Sequence, residues 1–130
     1  MSGADEVLIA VSRDERFLIL LRSPSKRGYW HLAGGGVEPG ETDADAAARE
    51  LHEETELVAA TLDDLGDDLG YNGVRVHAFA VRAPDGWEPT LNEEHDDYRW
   101  CSLDEALALL RYEEPRDVVR RAALLLGLGP

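Results

Sequence analysis

The stretch GGGVEPGETDADAAARELHEETELV, residues 34–58, sets three glycines, a turn and a glutamate-studded helix end to end. Pro39-Gly40 reads as a turn, since proline presets one central dihedral and glycine tolerates the next. Thr42 followed by Asp45 reads as a capping box, with Asp in place of the usual Glu or Gln, and predicts a helix running to about Thr55. Ala44, Ala47, Ala48 and Leu51 are expected to form its small apolar face. Residues at i, i+3 and i+4 share one side of a helix, so Glu50, Glu53 and Glu54 project together. Like charges at that spacing destabilise an isolated helix by ~0.2–0.5 kcal/mol per pair. A solvated acidic face is the ordinary reading of a charge run, but it leaves the glycines, the Pro-Gly turn and Glu41 unexplained. A divalent cation accounts for the cluster better, because hard oxygen ligands suit Mg²⁺ or Mn²⁺.

Before this stretch, EVLIAV and RFLILLR are short apolar runs separated by SRDE, and they read as two strands joined by a tight connection. The continuous apolar run 17–21 predicts a strand buried on both faces. SPSKRGY forms a loop, and WHLAGG is a short strand running into the glycines. After it, LVAATL predicts a strand, DDLGDDLGYNG a polar loop, VRVHAFAVRA a strand, PDG a turn and DDYRWCS another strand. Ser102 with Glu105 forms a second capping box, opening the helix LDEALALL. Pro115 suits the first turn of a last helix, where its missing N–H is no loss. That helix is expected to carry Val118, Val119, Ala122, Leu125 and Leu126 inward and to end at Gly127. Strands and helices interleave with too few crossover helices for a doubly wound sheet. The fold class is therefore α/β, an α/β/α sandwich with a small mixed sheet between helices.

The chain has 130 residues, which suits one domain spanning 1–130. A hydrophobic content of 44% is enough for a packed core. No apolar run approaches the ~20 residues that span a bilayer. The segment MSGADEVLIA is acidic and lacks a cleavable signal pattern, so a cytoplasmic protein is expected. Cys101 is the one cysteine, which leaves no disulfide framework and no thiolate metal site; it reads as an inert buried thiol. Net charge is −14, with 27 acidic residues against 13 Lys and Arg. Such a surface repels the phosphate backbone and anionic membranes, so neither duplex nucleic acid nor a membrane is an expected partner.

The stretch resembles the signature of the Nudix hydrolases, G-x5-E-x7-R-E-U-x-E-E-x-G-U, where U is a bulky aliphatic residue. Gly35, Glu41, Arg49, Glu50, Leu51, Glu53, Glu54 and Leu57 fill eight of its nine defined positions in register; Glu56 stands where the family has glycine. A second departure is Ala33, where a proline is usual before the glycines. LLR before a loop, YWHLAGG and EEHDDYRWCSLDEAL extend the resemblance over most of the chain. The resemblance implies that Glu50, Glu53 and Glu54 are metal ligands, with one assisting proton removal from water. It implies that Arg49 orients a glutamate and that Glu41 is a supporting or indirect ligand. Gly34, Gly35 and Gly36 would permit close backbone approach.

The activity implied is Mg²⁺-dependent hydrolysis, with Mn²⁺ as the alternative ion, of a nucleoside diphosphate linked to another moiety. Water is the nucleophile, and positioning and electrostatics do most of the catalysis. The leading substrate is a nucleoside or deoxynucleoside triphosphate. Dinucleoside polyphosphates, dihydroneopterin triphosphate and ADP-ribose are alternatives, as is a nucleotide-sensing module without turnover. The partner is thus a small nucleotide polyphosphate, and the protein is expected as a monomer or homodimer. Outside the box, Glu94 rather than Glu93 is the preferred extra carboxylate, and His95 either orients it or contacts substrate. Arg22 is a phosphate-contact candidate, with Lys26 and Arg27 behind it and Gly35 and Gly36 as backbone contacts. Trp30, Trp87, Tyr29 and Tyr71 are open as base-stacking residues, while Trp100 is expected in the core.

Overall fold

A computed structural model describes residues 3–70 and 72–128; Tyr71 lies outside the described residues. The chain order is β1 (Glu6–Arg13), β2 (Arg16–Arg22), β3 (Trp30–His31), β4 (Ala33–Gly36), α1 (Asp43–Thr55), β5 (Asp63–Leu69), β6 (Arg75–Arg82), β7 (His95–Cys101), α2 (Leu103–Leu109) and α3 (Glu113–Leu125). A single turn of 3₁₀ helix, Pro24–Lys26, follows β2. All seven strands join one mixed sheet. β1 and β6 run parallel at its centre, and every other pairing is antiparallel. β1 shares one edge between β2, at its C-terminal end, and β4, at its N-terminal end. That division delivers the glycines of β4 to the head of the central strand.

β1 and β2 are apolar through their middles, residues 7–11 and 17–21, because both sheet faces are covered there. Val7, Ile9, Val11, Leu18 and Leu20 pack toward α1. Leu8, Ala10, Phe17 and Ile19 pack toward α2 and α3. The sheet is thus sandwiched between one helix and two, as expected. The β1–β2 connection is a two-residue turn, with φ of 52° at Asp14 and 63° at Glu15. Positive φ at both central residues matches the twist of the flanking strands.

Helix α1 begins where its cap predicts: Thr42 Oγ1 accepts from Asp45 N at 3.1 Å. Its inward face is turned from the expected one. Ala46, Ala47, Leu51, Glu54 and Thr55 are buried, whereas Ala44 and Ala48 are exposed. Burying Leu51, which has no exposed surface, is worth ~1.5–3 kcal/mol and holds the helix against the sheet. The Ser102–Glu105 capping box is present in both directions. α3 buries Pro115, Val118, Val119, Ala122 and Ala123; Leu125, the last residue of the helix and expected inside, is 53% exposed, and Ala123 takes an inward place instead.

The expected strand at 57–62 is instead a loop. Leu57 drops into the core and Ala59 and Leu62 pack against its edge, while Val58 is 78% exposed. The segment expected as a polar loop forms β5, an edge strand on β6 with a bulge between Asp64 and Asp67. Its partner is backbone, so its side chains need not be apolar, and acidic side chains on an edge discourage further pairing. Arg121 ties it down, with Nη1 donating to the Leu65 carbonyl at 2.5 Å.

Candidate active site

The head of β1, the end of β2, β4, α1 and the start of β7 and α3 surround a cleft of about 310 Å³. Glu54 and Glu94 line it, with Arg22, Tyr29, His31, Gly34, Gly35 and His95; Glu6 and Glu114 stand at its acidic end.

Glu54 is the central group. It is 1% exposed, on the inward face of α1, and its Oε1 accepts from Gly34 N at 3.2 Å. Burial, reinforced by a carboxyl–carboxylate hydrogen bond with Glu50 and by the nearby charges of Glu50 and Glu94, pushes its proton affinity far above the ordinary carboxylate range. Glu50 is raised as well, by burial first. Burial and mutual repulsion thus set the two carboxyls, one turn of helix apart, against both being charged at once.

Two glycines make this arrangement possible in different ways. A Cβ on Gly34 would run into the Val7 carbonyl, so β4 could not lie against β1 with a side chain there. A Cβ on Gly35 would run into the Glu50 carboxylate, so the bare Cα is what admits Glu50 beside the cleft.

Arg49 organises the remaining acids. Its Nε and Nη2 donate to the two Glu41 oxygens at 2.7 and 3.0 Å, and Nη2 also donates to the Gly36 carbonyl at 2.9 Å. Nη1 donates to Glu50 at 3.2 Å and to Glu53 at 3.4 Å. Glu41 also accepts from Glu38 N at 2.9 Å. The Arg49 hydrogen bonds hold its carboxyl down at about 2. Glu41 is thus engaged by Arg49, outside the cleft lining. Glu53, with a side chain 49% exposed, reaches toward Arg49 and solvent. Among the described residues no three His, Cys, Asp or Glu side chains already converge on one ligating point.

Across the cleft, Glu94 is half-buried in its lining while Glu93 is exposed. The Glu94 carbonyl accepts from Ser23 N at 2.9 Å, which anchors this loop to the end of β2. Arg22 lies over the Tyr29 ring at 5.0 Å and donates to its hydroxyl at 2.9 Å. Tyr29 meets Tyr112 edge-on at 5.1 Å, and Arg111 lies 6.0 Å from the Tyr112 ring. Lys26 and Arg27 sit on the outer 3₁₀ turn, exposed and away from the cleft lining.

No tryptophan lines the cleft. Trp30 packs on the core beneath Arg99, 5.0 Å away. Trp100 is half-buried rather than enclosed: Arg13 covers it at 4.2 Å, and its Nε1 donates to Glu88 at 2.8 Å. Trp87 meets it edge-on at 6.2 Å. Cys101 is buried, and burial pushes its thiol up, consistent with an inert role.

Sequence reasoning missed Glu6, His31 and Glu114 as parts of the cleft. His31 follows Trp30 directly before the glycines, a local signal that could have found it; burial pulls it down to about 4, so it is a neutral imidazole. Glu6 and Glu114 carry no local signal, because only the packing of α3 beside β1 brings them together.

The family model of the NUDIX domain matches residues 4–122. A CTP pyrophosphohydrolase from Escherichia coli (strain K12) is 32% identical over 110 residues, covering 82% of each chain. An octanoyltransferase from Myxococcus xanthus is 36% identical over 116 residues; these cover 84% of this chain and 32% of that one, so the chain spans about a third of that relative's length. An Ap4A hydrolase from C. elegans superposes with a TM-score of 0.81 at 24% identity, covering 94% of this chain and 98% of that one, a likeness of fold.

Proposed function

Because the chain belongs to the NUDIX family, we propose that it hydrolyses a nucleoside diphosphate linked to another moiety. The leading substrate is a nucleoside or deoxynucleoside triphosphate, cleaved to monophosphate and pyrophosphate. The observation that carries this reading is the sealed Glu54 carboxylate beside Glu50 at the head of the cleft. A buried carboxylate is expensive to charge unless a cation or hydrogen-bond donors answer it. Here Gly34 N donates to Glu54 and Glu50 stands one turn away, and an all-oxygen donor set of this hardness fits Mg²⁺ or Mn²⁺.

Glu50, Glu53 and Glu54 would hold the ion, with Glu94 facing them across the cleft. Such an ion neutralises phosphate charge and lowers the pKa of a water nucleophile. Glu53 would have to leave Arg49 to take part, and that exposed contact is worth only ~0.3–0.5 kcal/mol. Arg49 stays doubly bonded to Glu41 and keeps Glu50 in place, which makes it a positioning residue. Glu41 acts through Arg49. Arg22, at the cleft wall, is placed to contact a phosphate, and Gly35, also in the lining, admits the Glu50 carboxylate beside it. Lys26 and Arg27 supply positive charge at the rim without direct contact.

A second reading rests on the Arg22–Tyr29–Tyr112–Arg111 array, which extends the cleft outward with aromatic and cationic groups. Such a ledge suits the far arm of a dinucleoside polyphosphate.

Chromatography of a substrate panel, with Mg²⁺ and with a chelator, tests both. The panel holds canonical and oxidised triphosphates, dihydroneopterin triphosphate, dinucleoside polyphosphates, ADP-ribose and nucleotide sugars. Mg²⁺-dependent monophosphate and pyrophosphate from a triphosphate is the expected result. Preference for dinucleoside polyphosphates selects the second reading. Binding without product across the panel identifies a sensing module and overturns hydrolysis.

A further inference from the structure

His95, the first residue of β7, is 8% exposed and lines the cleft beside Glu54. Its Nδ1 is sealed from solvent and has no hydrogen-bond partner among the described residues. Its Nε2 faces Glu54 Oε1 at 4.0 Å. These two facts assign the proton. A charged imidazole, or a neutral one protonated on Nδ1, would bury an N–H donor with nothing to receive it, which is unfavourable. A proton on Nε2 instead leaves Nδ1 a bare acceptor and aims the donor at a carboxylate oxygen.

We infer that His95 is a positioning residue for Glu54: its neutral imidazole donates from Nε2 to Glu54 Oε1, fixing that oxygen and leaving Oε2 to ligate. The inference rests on the metal-dependent hydrolase reading above. Gly34 N already donates to Oε1 at 3.2 Å, so His95 completes a two-donor seat for the same atom. At 4.0 Å the contact is about 1 Å too long for a hydrogen bond. Hydrogen bonds in catalytic sites are often long in the free protein and tighten in the complex. The strand context supports the placement, because His95 pairs with Arg22 where the β2–β7 register shifts. That irregularity redirects β7 at its first residue, beside the cleft.

The role differs from a packing role in what it asks of a replacement. An amide at the ε position can substitute for Nε2, whereas one at the δ position cannot. The test compares His95→Gln, His95→Asn and His95→Leu in the full chain. Mn²⁺ binding is measured by electron paramagnetic resonance without substrate, alongside melting temperature and the kcat and KM for hydrolysis at saturating metal. Partners that orient metal ligands are commonly worth ~10–100-fold in affinity or activity. His95→Leu and His95→Asn are expected to weaken Mn²⁺ binding and lower kcat by that factor, with KM little changed. His95→Gln should recover most of both. If His95→Leu does not fold, the Asn and Gln pair decides alone, since the two differ only in where the amide stands. Equal behaviour of Asn and Gln, or wild-type Mn²⁺ affinity in a folded His95→Leu, overturns the inference. An unmutated chain that binds no Mn²⁺ overturns the hydrolase reading and this inference with it. Normal binding by the unmutated chain with indifferent variants overturns the inference alone.

Discussion

Glu56→Gly is expected to stabilise the fold while leaving turnover unchanged. Glu56 caps α1 in the left-handed region, with φ 65° and ψ 13°, and its N–H donates to the His52 carbonyl at 2.9 Å. A residue with a Cβ pays ~1–2 kcal/mol for that conformation, which glycine adopts freely. Glycine in turn loses more freedom on folding, ~0.4–1 kcal/mol. The difference leaves a net gain of roughly 0.4–1 kcal/mol. With an unfolding entropy near 2.1 cal/mol/K per residue, a chain of this length should melt about 2–4 °C higher. The Glu56 side chain is exposed and outside the cleft lining, so metal-saturated initial rates should match the parent. Thermal melts and rates on the one variant check both halves. A lower melting temperature would refute the strain assignment, and lost turnover would refute the register that sets Glu56 apart from the working glutamates.

Three further expectations follow from the same geometry. Glu53→Gln and Glu54→Gln should each cut turnover by orders of magnitude while the protein stays folded, measured by initial rates and circular dichroism; the buried Glu54 change should if anything raise stability, since it removes a buried acid. Gly34→Ala and Gly35→Ala should part ways. The first sets a Cβ against the Val7 backbone and should lower the melting temperature, whereas the second meets only the movable Glu50 carboxylate and should lower turnover with little change in melting. The third concerns His77, which Asp43 holds at 2.7 Å and Asp64 at 2.9 Å. Burial works against its charged form, but the two carboxylates together raise its pKa above the usual 6.5. A raised folded-state pKa gives stability that is complete below ~6.5 and fades as pH rises through the folded value. Urea melts should therefore show wild type losing more stability between pH 6 and pH 8 than His77→Asn; equal losses would refute the clasp.

What sequence could and could not reveal follows from how each residue is held. β1 and β2 were legible because covering both sheet faces demands unbroken apolar runs. The start and end of α1 were legible in Thr42 and in the odd residue at 56, since caps are local chemistry. β5 was not, because an edge strand is recruited by the backbone of β6 and carries aspartates that alone read as loop. The inward face of α1 was misread by the width of one residue: Ala46 and Glu54 point in where Ala44 and Ala48 were expected. That offset matters for the site. Three glutamates at helical spacing read as one cluster of equivalent ligands, whereas the fold sinks Glu54, covers most of Glu50 and leaves Glu53 outside with Arg49. The local pattern named the groups; only packing against Gly34 and Gly35 made them unequal. Glu6 and Glu114 were invisible for the same reason, being joined by tertiary contact alone.

The central claim is that this carboxylate seat directs water, with a divalent ion, at a phosphoanhydride. Hydrolysis of the best substrate in ¹⁸O-labelled water, followed by mass analysis of both products, tests it most directly. With Mg²⁺, one heavy oxygen should enter the phosphate of one product, and a chelator should prevent both cleavage and labelling. Unlabelled products, a trapped enzyme–phosphate species, or equal turnover after rigorous metal removal would contradict the account.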